Sequence, residues 1–125
     1  MKTTADQVRH WARTAARAAS AKGGDDTVII EVGAVLAITD AFVITSGRNS
    51  RQVKTIAEEV ESRLKVEDDI KPLRVEGVSD SQWILLDYGD LVIHVFLDET
   101  REFYDLERLW SDAPRVAWED EAARS

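Results

Sequence analysis

The strongest constraint on the fold of this chain is a pair of apolar segments joined by a very short connection. Residues 82–87 and 91–97 have the composition of β-strands, and Tyr88, Gly89 and Asp90 separate them. Gly89 can adopt the positive φ that a tight turn requires, so the pair is predicted to form an antiparallel hairpin. The second segment is apolar at nearly every position, which indicates that both faces of that strand are covered.

Periodicity and capping residues predict the other elements. Thr4 and Gln7 have the spacing of a capping box and Gly23-Gly24 is a helix terminator, which predicts a first helix at about 4–22. Residues 33–39 fit either a loop or a continuation of the strand before them. The remaining predictions are strands at 27–32 and 41–45, a helix capped by Ser50 that runs to about Val66, a short strand at 73–75, and a polar helical stretch at 98–110. This order predicts an α/β fold in which helices flank a mixed sheet.

The length of 125 residues corresponds to one domain, and no internal repeat or interdomain linker is visible. We expect this domain to span residues 1–110. Beyond Pro114 the sequence is charged and has no periodicity apart from Trp118. Residues 111–125 are therefore expected to form an acidic, loosely attached and flexible tail.

Composition excludes several classes of function. The chain contains no cysteine, which excludes disulfide scaffolds, thiolate zinc sites and cysteine nucleophiles. Acidic residues outnumber basic ones by 24 to 16, which gives a net charge of −8. Because binding to a phosphate backbone depends mainly on Lys and Arg, direct and extended contact with nucleic acid is not expected. This charge favours a basic protein as the partner.

The N-terminal segment bears on location. No apolar run approaches the roughly 18 residues of a membrane-spanning helix, so no membrane association is expected. The first two dozen residues are rich in alanine and basic side chains, as organelle transit peptides are. The capping box and the glycine terminator favour a helix of the domain instead, and the expected location is the cytoplasm.

Few residues form a pattern that carries chemistry. No His, Asp or Glu cluster has the spacing of metal ligands, and no set of nucleophile, base and orienting residue is visible, so neither a metal site nor catalysis is expected. Residues 45–50 lead from a strand into a helix, which is compatible with an anion site as well as with an ordinary capped turn. Asp87 and Asp90 flank the hairpin turn, where aspartates usually make local hydrogen bonds. His94, inside an apolar strand, is typical of a hydrogen-bonded structural residue.

The first strand of the hairpin is more informative. In an extended segment Trp83, Leu85 and Asp87 point to one side, and Ile84 and Leu86 point to the other. One face therefore combines a tryptophan with a carboxylate, which is typical of the centre of a protein interface. It is equally compatible with a tryptophan that closes one end of the core beside a turn aspartate.

Several ordered motifs resemble a known family. Residues 83–96 and 101–110, together with 38–44 and 46–53, strongly resemble the ribosome silencing factor family, also called RsfS or Iojap. The likeness covers roughly residues 26 to 110. It implies a fold similar to nucleotidyltransferases, but the paired carboxylates of those enzymes are missing here. The resemblance therefore implies a protein that is not an enzyme and has no catalytic residue, cofactor or metal.

The resemblance also implies a partner. Family members bind the large ribosomal subunit through a small basic protein on its intersubunit face, protein fourteen of that subunit. They block joining of the small subunit and lower translation when nutrients are scarce, and organelle relatives assist assembly of the large subunit. Transferred position by position, the expected partner-binding residues are Trp83, Leu85, Asp87, Tyr88 and Asp90, with His94 as a weaker candidate.

Two alternatives stay open at this point. The first is a nucleotide-binding enzyme that uses Ser46, Gly47 and Arg48 with Asp87 or Asp90. The second is a homodimer in which the acidic, aromatic face or the first helix pairs with itself, and this dimer is compatible with ribosome binding if it opens.

Overall fold

A computed structural model describes residues 3–119. The helices are α1 (Ala5–Ala21), α2 (Ser50–Asp68), α3 (Asp98–Tyr104) and α4 (Leu106–Leu109). The strands are β1 (Asp25–Glu31), β2 (Ala41–Gly47), β3 (Arg74–Glu76), β4 (Trp83–Asp87), β5 (Leu91–Leu97) and β6 (Arg115–Val116). They form one sheet in the order β3-β4-β5-β2-β1-β6. The pair β2 and β5 is parallel and the other pairs are antiparallel, so the predicted mixed sheet flanked by helices is confirmed.

Helices α1 and α2 lie side by side on one face of the sheet, called here the helix-covered face. α1 contributes small side chains, which allow its close approach to α2, and α2 contributes larger aliphatic ones. The fully or almost fully buried apolar residues of these two helices are Val8, Ala12, Ala15, Ala16, Ala18, Ala19, Val53, Ile56, Ala57, Val60 and Leu64. None of the helices within residues 3–119 is long and apolar enough to cross a membrane.

The N-terminal cap of α1 is the predicted one, whereas that of α2 differs by one residue. The capping box of α1 is confirmed, because the Thr4 hydroxyl accepts a hydrogen bond from the Gln7 backbone amide and the Gln7 side chain accepts one from the Thr4 amide. α2 is capped by Asn49, whose side chain accepts from the Gln52 amide, and Ser50 is the first helical residue rather than the cap. Asparagine and serine are both favourable N-cap residues, so the cap is one residue earlier than predicted.

The hairpin of β4 and β5 is confirmed. Gly89 has φ of +88°, and the Tyr88 amide donates to the Leu91 carbonyl across the turn (2.8 Å). Residues 33–39 form a loop between β1 and β2 rather than a longer strand.

The C-terminal part differs from the expectation in two ways. Asp105 adopts a positive φ of 46°, which divides the predicted helical stretch 98–110 into α3 and α4. The expected loose attachment from residue 111 does not hold for residues 111–119. β6 pairs with β1, and the Trp118 indole N–H donates to the Thr27 carbonyl (2.7 Å). Residues 120–125 of the expected tail lie outside the described residues.

Candidate functional site

The second face of the sheet, called here the open face, carries most of the residues that the sequence singles out. The expected grouping of Trp83, Leu85 and Asp87 on one side of β4 is what the structure has, since Ile84 and Leu86 are buried under the helices. Across the hairpin these three side chains stand beside Phe96, His94 and Val92 of β5. The same apolar cluster continues with Phe42 and Ile44 of β2, Ile30 of β1, and Val32 just after β1.

Trp83 and His94 form a hydrogen-bonded pair at the centre of this face. The indole N–H of Trp83 donates to Nδ1 of His94 (3.1 Å). An indole nitrogen can only donate, so Nδ1 must accept and the proton of the neutral imidazole lies on Nε2. Burial lowers the pKa of His94 to about 4, which keeps the ring neutral at pH 7. Its Nε2 is buried and has no hydrogen-bond partner within residues 3–119.

α3 and α4 cover one end of the open face. The ring of Tyr104 lies 4.8 Å from that of Trp83, and Trp110 meets Phe42 edge to face with the ring centroids 5.9 Å apart. Leu106 and Ala113 also pack on this cluster. Residues of α3 and α4 and of the segment after α4 therefore cover part of the open face.

Arg101 of α3 joins this cover to the sheet. The guanidinium of Arg101 donates to the carbonyls of Asp25 (2.9 Å) and Asp26 (2.6 Å) and to the Ser46 hydroxyl (3.1 Å). It also pairs with Glu107 of α4 (2.8 Å). Arg101 therefore joins α3 and α4 to the ends of β1 and β2, and a planar guanidinium suits such a multiple contact.

The other end of the open face has no helix over it among the described residues. It forms a groove of about 500 Å³ whose floor includes Leu85, Val92 and His94. Ile38 from the loop 33–39 and Leu73 before β3 line the same groove, with 83% and 73% of their surface exposed. Two large aliphatic side chains this exposed at the edge of an apolar groove are typical of an interaction site.

The two aspartates of the hairpin have local roles. Asp87 accepts a hydrogen bond from the Gly89 amide (2.8 Å) with one oxygen and pairs with Arg74 of β3 (3.0 Å) with the other. The carbonyl of Asp90 accepts from the amides of Asp40 and Ala41, which fixes the turn to the start of β2. Asp87 therefore sits on the open face with its charge balanced by a neighbour, and Asp90 lies at the end of that face.

Tyr88 does not join the others. Its ring packs against the helix-covered core, and its hydroxyl is buried with no hydrogen-bond partner within residues 3–119. Burial, and to a smaller extent the charge of Glu61 on α2, raise the pKa of this phenol. Of the six expected contact residues, the structure brings Trp83, Leu85, Asp87 and His94 together and separates Tyr88 from them.

The turn from β2 into α2 is occupied by its own side chains. Ser46 accepts from Arg101, and the Arg48 amide donates to the Gln52 side-chain carbonyl (2.7 Å). That Gln52 side chain also donates to the carbonyls of Lys22 and Gly23. Two groups of this turn, the Ser46 hydroxyl and the Arg48 amide, are thus engaged within the protein. Residues 3–119 contain no group of three or more His, Cys, Asp or Glu side chains placed to hold a metal ion.

Comparison with known proteins shows which family the chain belongs to. A family model described as ribosomal silencing factor during starvation, RsfS, matches residues 5–125. The chain belongs to the RsfS family. The match includes α1 and the segment after Trp110, which the sequence motifs alone did not cover.

Individual relatives give the same result. The chain is 35% identical over 102 residues to the ribosomal silencing factor RsfS of Bacillus subtilis, which covers 82% of this chain and 86% of that protein. It is 36% identical over 89 residues to a mouse protein named mitochondrial assembly of ribosomal large subunit protein 1, covering 69% of this chain and 39% of the mouse protein. A crystal structure of a Chromobacterium violaceum protein superposes with a TM-score of 0.79 at 28% identity, covering 93% of this chain and 95% of the other.

The open face includes residues that the sequence analysis did not select. They share the open face or its edge, and they are Ile38, Phe42, Leu73, Val92, Tyr104 and Trp110. The apolar spacing of Phe42 and Val92 within their strands carried a signal for two of them. Ile38 and Leu73 lie outside regular structure, where no periodicity assigns a face.

Proposed function

We propose that this RsfS-family chain binds the large ribosomal subunit and sterically blocks joining of the small subunit, which represses translation under nutrient limitation. The contact we propose is a basic protein on the intersubunit face, protein fourteen of the large subunit. The chain acts in the cytoplasm, by occupying a surface rather than by transforming a substrate. The observation that carries the proposal is the uncovered groove of the open face, bordered by the exposed side chains of Ile38 and Leu73.

The composition of that face supports a protein partner. A half-buried tryptophan with a satisfied N–H, beside aliphatic side chains, has the character of an interface centre. The net charge of −8 disfavours ribosomal RNA and favours a basic protein. Charge would speed the encounter, and the apolar contacts would determine how long the complex lasts.

Within this proposal the contact residues are Trp83, Leu85, Asp87 and Asp90. His94 serves indirectly, because its hydrogen bond to Trp83 holds the indole in place. Tyr88 supports the hairpin from the helix-covered side, so we do not assign it a contact.

Co-sedimentation tests the proposal. Purified chain is mixed with isolated large subunits, isolated small subunits and joined ribosomes, and each mixture is separated on a sucrose gradient. The proposal expects the chain to travel with free large subunits and to be absent from small subunits and joined ribosomes. A chain that stays at the top of every gradient, or that travels equally with joined ribosomes, would refute it.

A second role is assembly of the large subunit, which the name of the mouse relative favours. Both roles require binding to the large subunit, so co-sedimentation does not separate them. Depleting the protein in growing cells does. If the chain assists assembly, its depletion should cause large-subunit precursors to accumulate during growth. If it acts only in silencing, depleted cells should have normal subunits and an excess of joined ribosomes during starvation.

The enzyme and dimer alternatives have their own tests. If the chain is a nucleotide-binding enzyme, its melting temperature should rise when Mg²⁺ and one of ATP, GTP, CTP or UTP are added. The hydrogen bonds already made by Ser46 and the Arg48 amide argue against this alternative. A homodimer that opens on the ribosome expects a concentration-dependent elution volume in size-exclusion chromatography, together with unchanged binding to large subunits.

A further inference from the structure

Helix α3 continues the aromatic surface of Trp83 outward. Ring contacts run from buried Phe96 to Trp83 (4.8 Å between centroids), from Trp83 to Tyr104 (4.8 Å), and from Tyr104 to Phe103 (5.0 Å). Exposure rises along this series, to 51% for Tyr104 and 76% for Phe103. Phe103 thus presents a large aromatic side chain to solvent at the end of a contiguous aromatic row, which an isolated surface phenylalanine does not.

The charges around this row are mostly negative. Residues 98–112 contain six acidic and two basic residues. Arg101, the basic residue of α3, is turned inward and bound to Asp25, Asp26, Ser46 and Glu107. The exposed side chains of α3 and its C-terminal neighbour are therefore aromatic or acidic, namely Glu99, Glu102, Phe103, Tyr104 and Asp105.

An aromatic face beside carboxylates is complementary to one kind of group. A guanidinium or an ammonium is attracted to the face of the ring and to the negative charge next to it. A phosphate backbone would be repelled by the same carboxylates, and so would a second copy of this acidic chain. Charge complementarity and the continuity with Trp83 select one occupant, which is a protein segment that bears arginine or lysine.

We propose that Phe103 and Tyr104, with Glu99 and Glu102, form a second contact surface that binds an arginine- or lysine-bearing segment of a large-subunit protein. This inference rests on the proposed function, and it places α3 in the complex beside the groove rather than outside it. The two surfaces meet at Trp83, which contacts Tyr104 on one side and His94 on the other.

Site-specific photo-crosslinking tests this surface. Phe103 is replaced by p-benzoyl-phenylalanine in the full chain, and the same replacement at Val66, an exposed residue of α2, is the matched control. Irradiation with purified large subunits is expected to link position 103, and not position 66, to a ribosomal protein at a peptide that contains Arg or Lys. Crosslinks to ribosomal RNA or to a second copy of the chain would overturn the inference. So would a level no higher than that of the Val66 control.

Binding measurements separate this inference from the proposed function. If the wild-type chain does not co-sediment with large subunits, the proposed function and this inference are both refuted. If it does, Phe103→Leu should weaken binding about two- to five-fold, because leucine keeps apolar area but has no aromatic face. Glu99→Gln combined with Glu102→Gln should reduce the salt dependence of binding. Unchanged affinity and salt dependence in these folded variants would overturn the α3 surface and leave the proposed function intact.

Discussion

The two faces of this sheet are built from alternate residues of the same strands, yet they are covered in different ways. On the helix-covered face, Ile84 and Leu86 of β4 and Ile93 of β5 are buried beneath α1 and α2. On the open face, Trp83 and Leu85 remain half-exposed, and α3 and α4 cover one end. On the proposed function, the helix-covered face supplies most of the stability, and the open face keeps an apolar surface available for a partner.

The largest expected effect comes from truncating neighbouring leucines on opposite faces. Leu86→Ala should lower the free energy of unfolding by about 2–5 kcal/mol, because Leu86 is fully buried and its removal leaves a cavity. Leu85→Ala should cost about 1 kcal/mol or less, because its side chain already meets solvent. Urea denaturation measures both. Equal losses at the two positions would show that the faces do not divide stability in this way.

The buried histidine predicts a pH dependence that belongs to the open face. His94 has a pKa of about 4 in the folded chain against 6.5 for a free side chain, because burial disfavours the charged ring. The unfolded chain therefore binds more protons between these values. The neutral ring contributes up to about 3 kcal/mol of stability above pH 6.5, and this contribution is lost as the pH falls toward 4.

Unfolding measured from pH 7 to pH 5 checks this. His94→Gln should have a shallower loss of stability over that range than the wild type. The control is Val66→Ala, which alters an exposed residue of α2 that has no titratable group and should keep the wild-type profile. A wild-type pH profile in the His94→Gln variant would show that His94 does not cause this pH dependence.

Trp83 tests whether the open face binds. Trp83→Ala should raise the Kd for isolated large subunits about 30-fold, which corresponds to about 2 kcal/mol for an anchor residue. The control Val66→Ala alters an exposed position on α2 and should leave binding unchanged. Because Trp83 also supports His94 and Tyr104, a thermal melt must show that the variant is folded. Wild-type affinity in a folded Trp83→Ala chain would exclude the tryptophan as an anchor.

The smallest expected effect concerns the charge at the end of the face. Asp87→Asn should change the free energy of unfolding by about 1 kcal/mol or less, because asparagine still accepts from the Gly89 amide and the Arg74 side chain, which loses its ion pair, is 69% exposed and stays hydrated. Asp87→Lys should slow association with large subunits several-fold at low salt and leave dissociation nearly unchanged. Glu58→Lys makes the same charge change on α2, and an equal slowing there would show that net charge alone matters.

Sequence reasoning succeeded where a local rule decides the outcome. The period of two in a strand assigns Trp83, Leu85 and Asp87 to one face, and glycine at position 89 assigns the tight turn. The same rule does not extend to Tyr88. It lies just past the end of β4, where the chain turns and side-chain direction is set by the core it meets.

The features that the sequence analysis did not predict have a common physical cause. Each of them depends on its three-dimensional context rather than on a local sequence pattern. A two-residue strand such as β6 has no periodicity, and β1 supplies the pairing that orders it. The break at Asp105 depends on a left-handed backbone conformation that aspartate adopts without any distinctive neighbouring residues. Arg101 looked like one more polar helical residue, and its role is visible only once the carbonyls of Asp25 and Asp26 lie beside it.

Subunit reassociation is the most direct test of the account. Isolated large and small subunits are mixed at a Mg²⁺ concentration that favours joining, and light scattering follows the fraction of joined ribosomes as the chain is added. We predict that the wild-type chain lowers this fraction in proportion to its occupancy of large subunits, and that folded Trp83→Ala does so only at much higher concentration. Joining at the same rate and to the same extent with saturating wild-type chain would contradict the central claim.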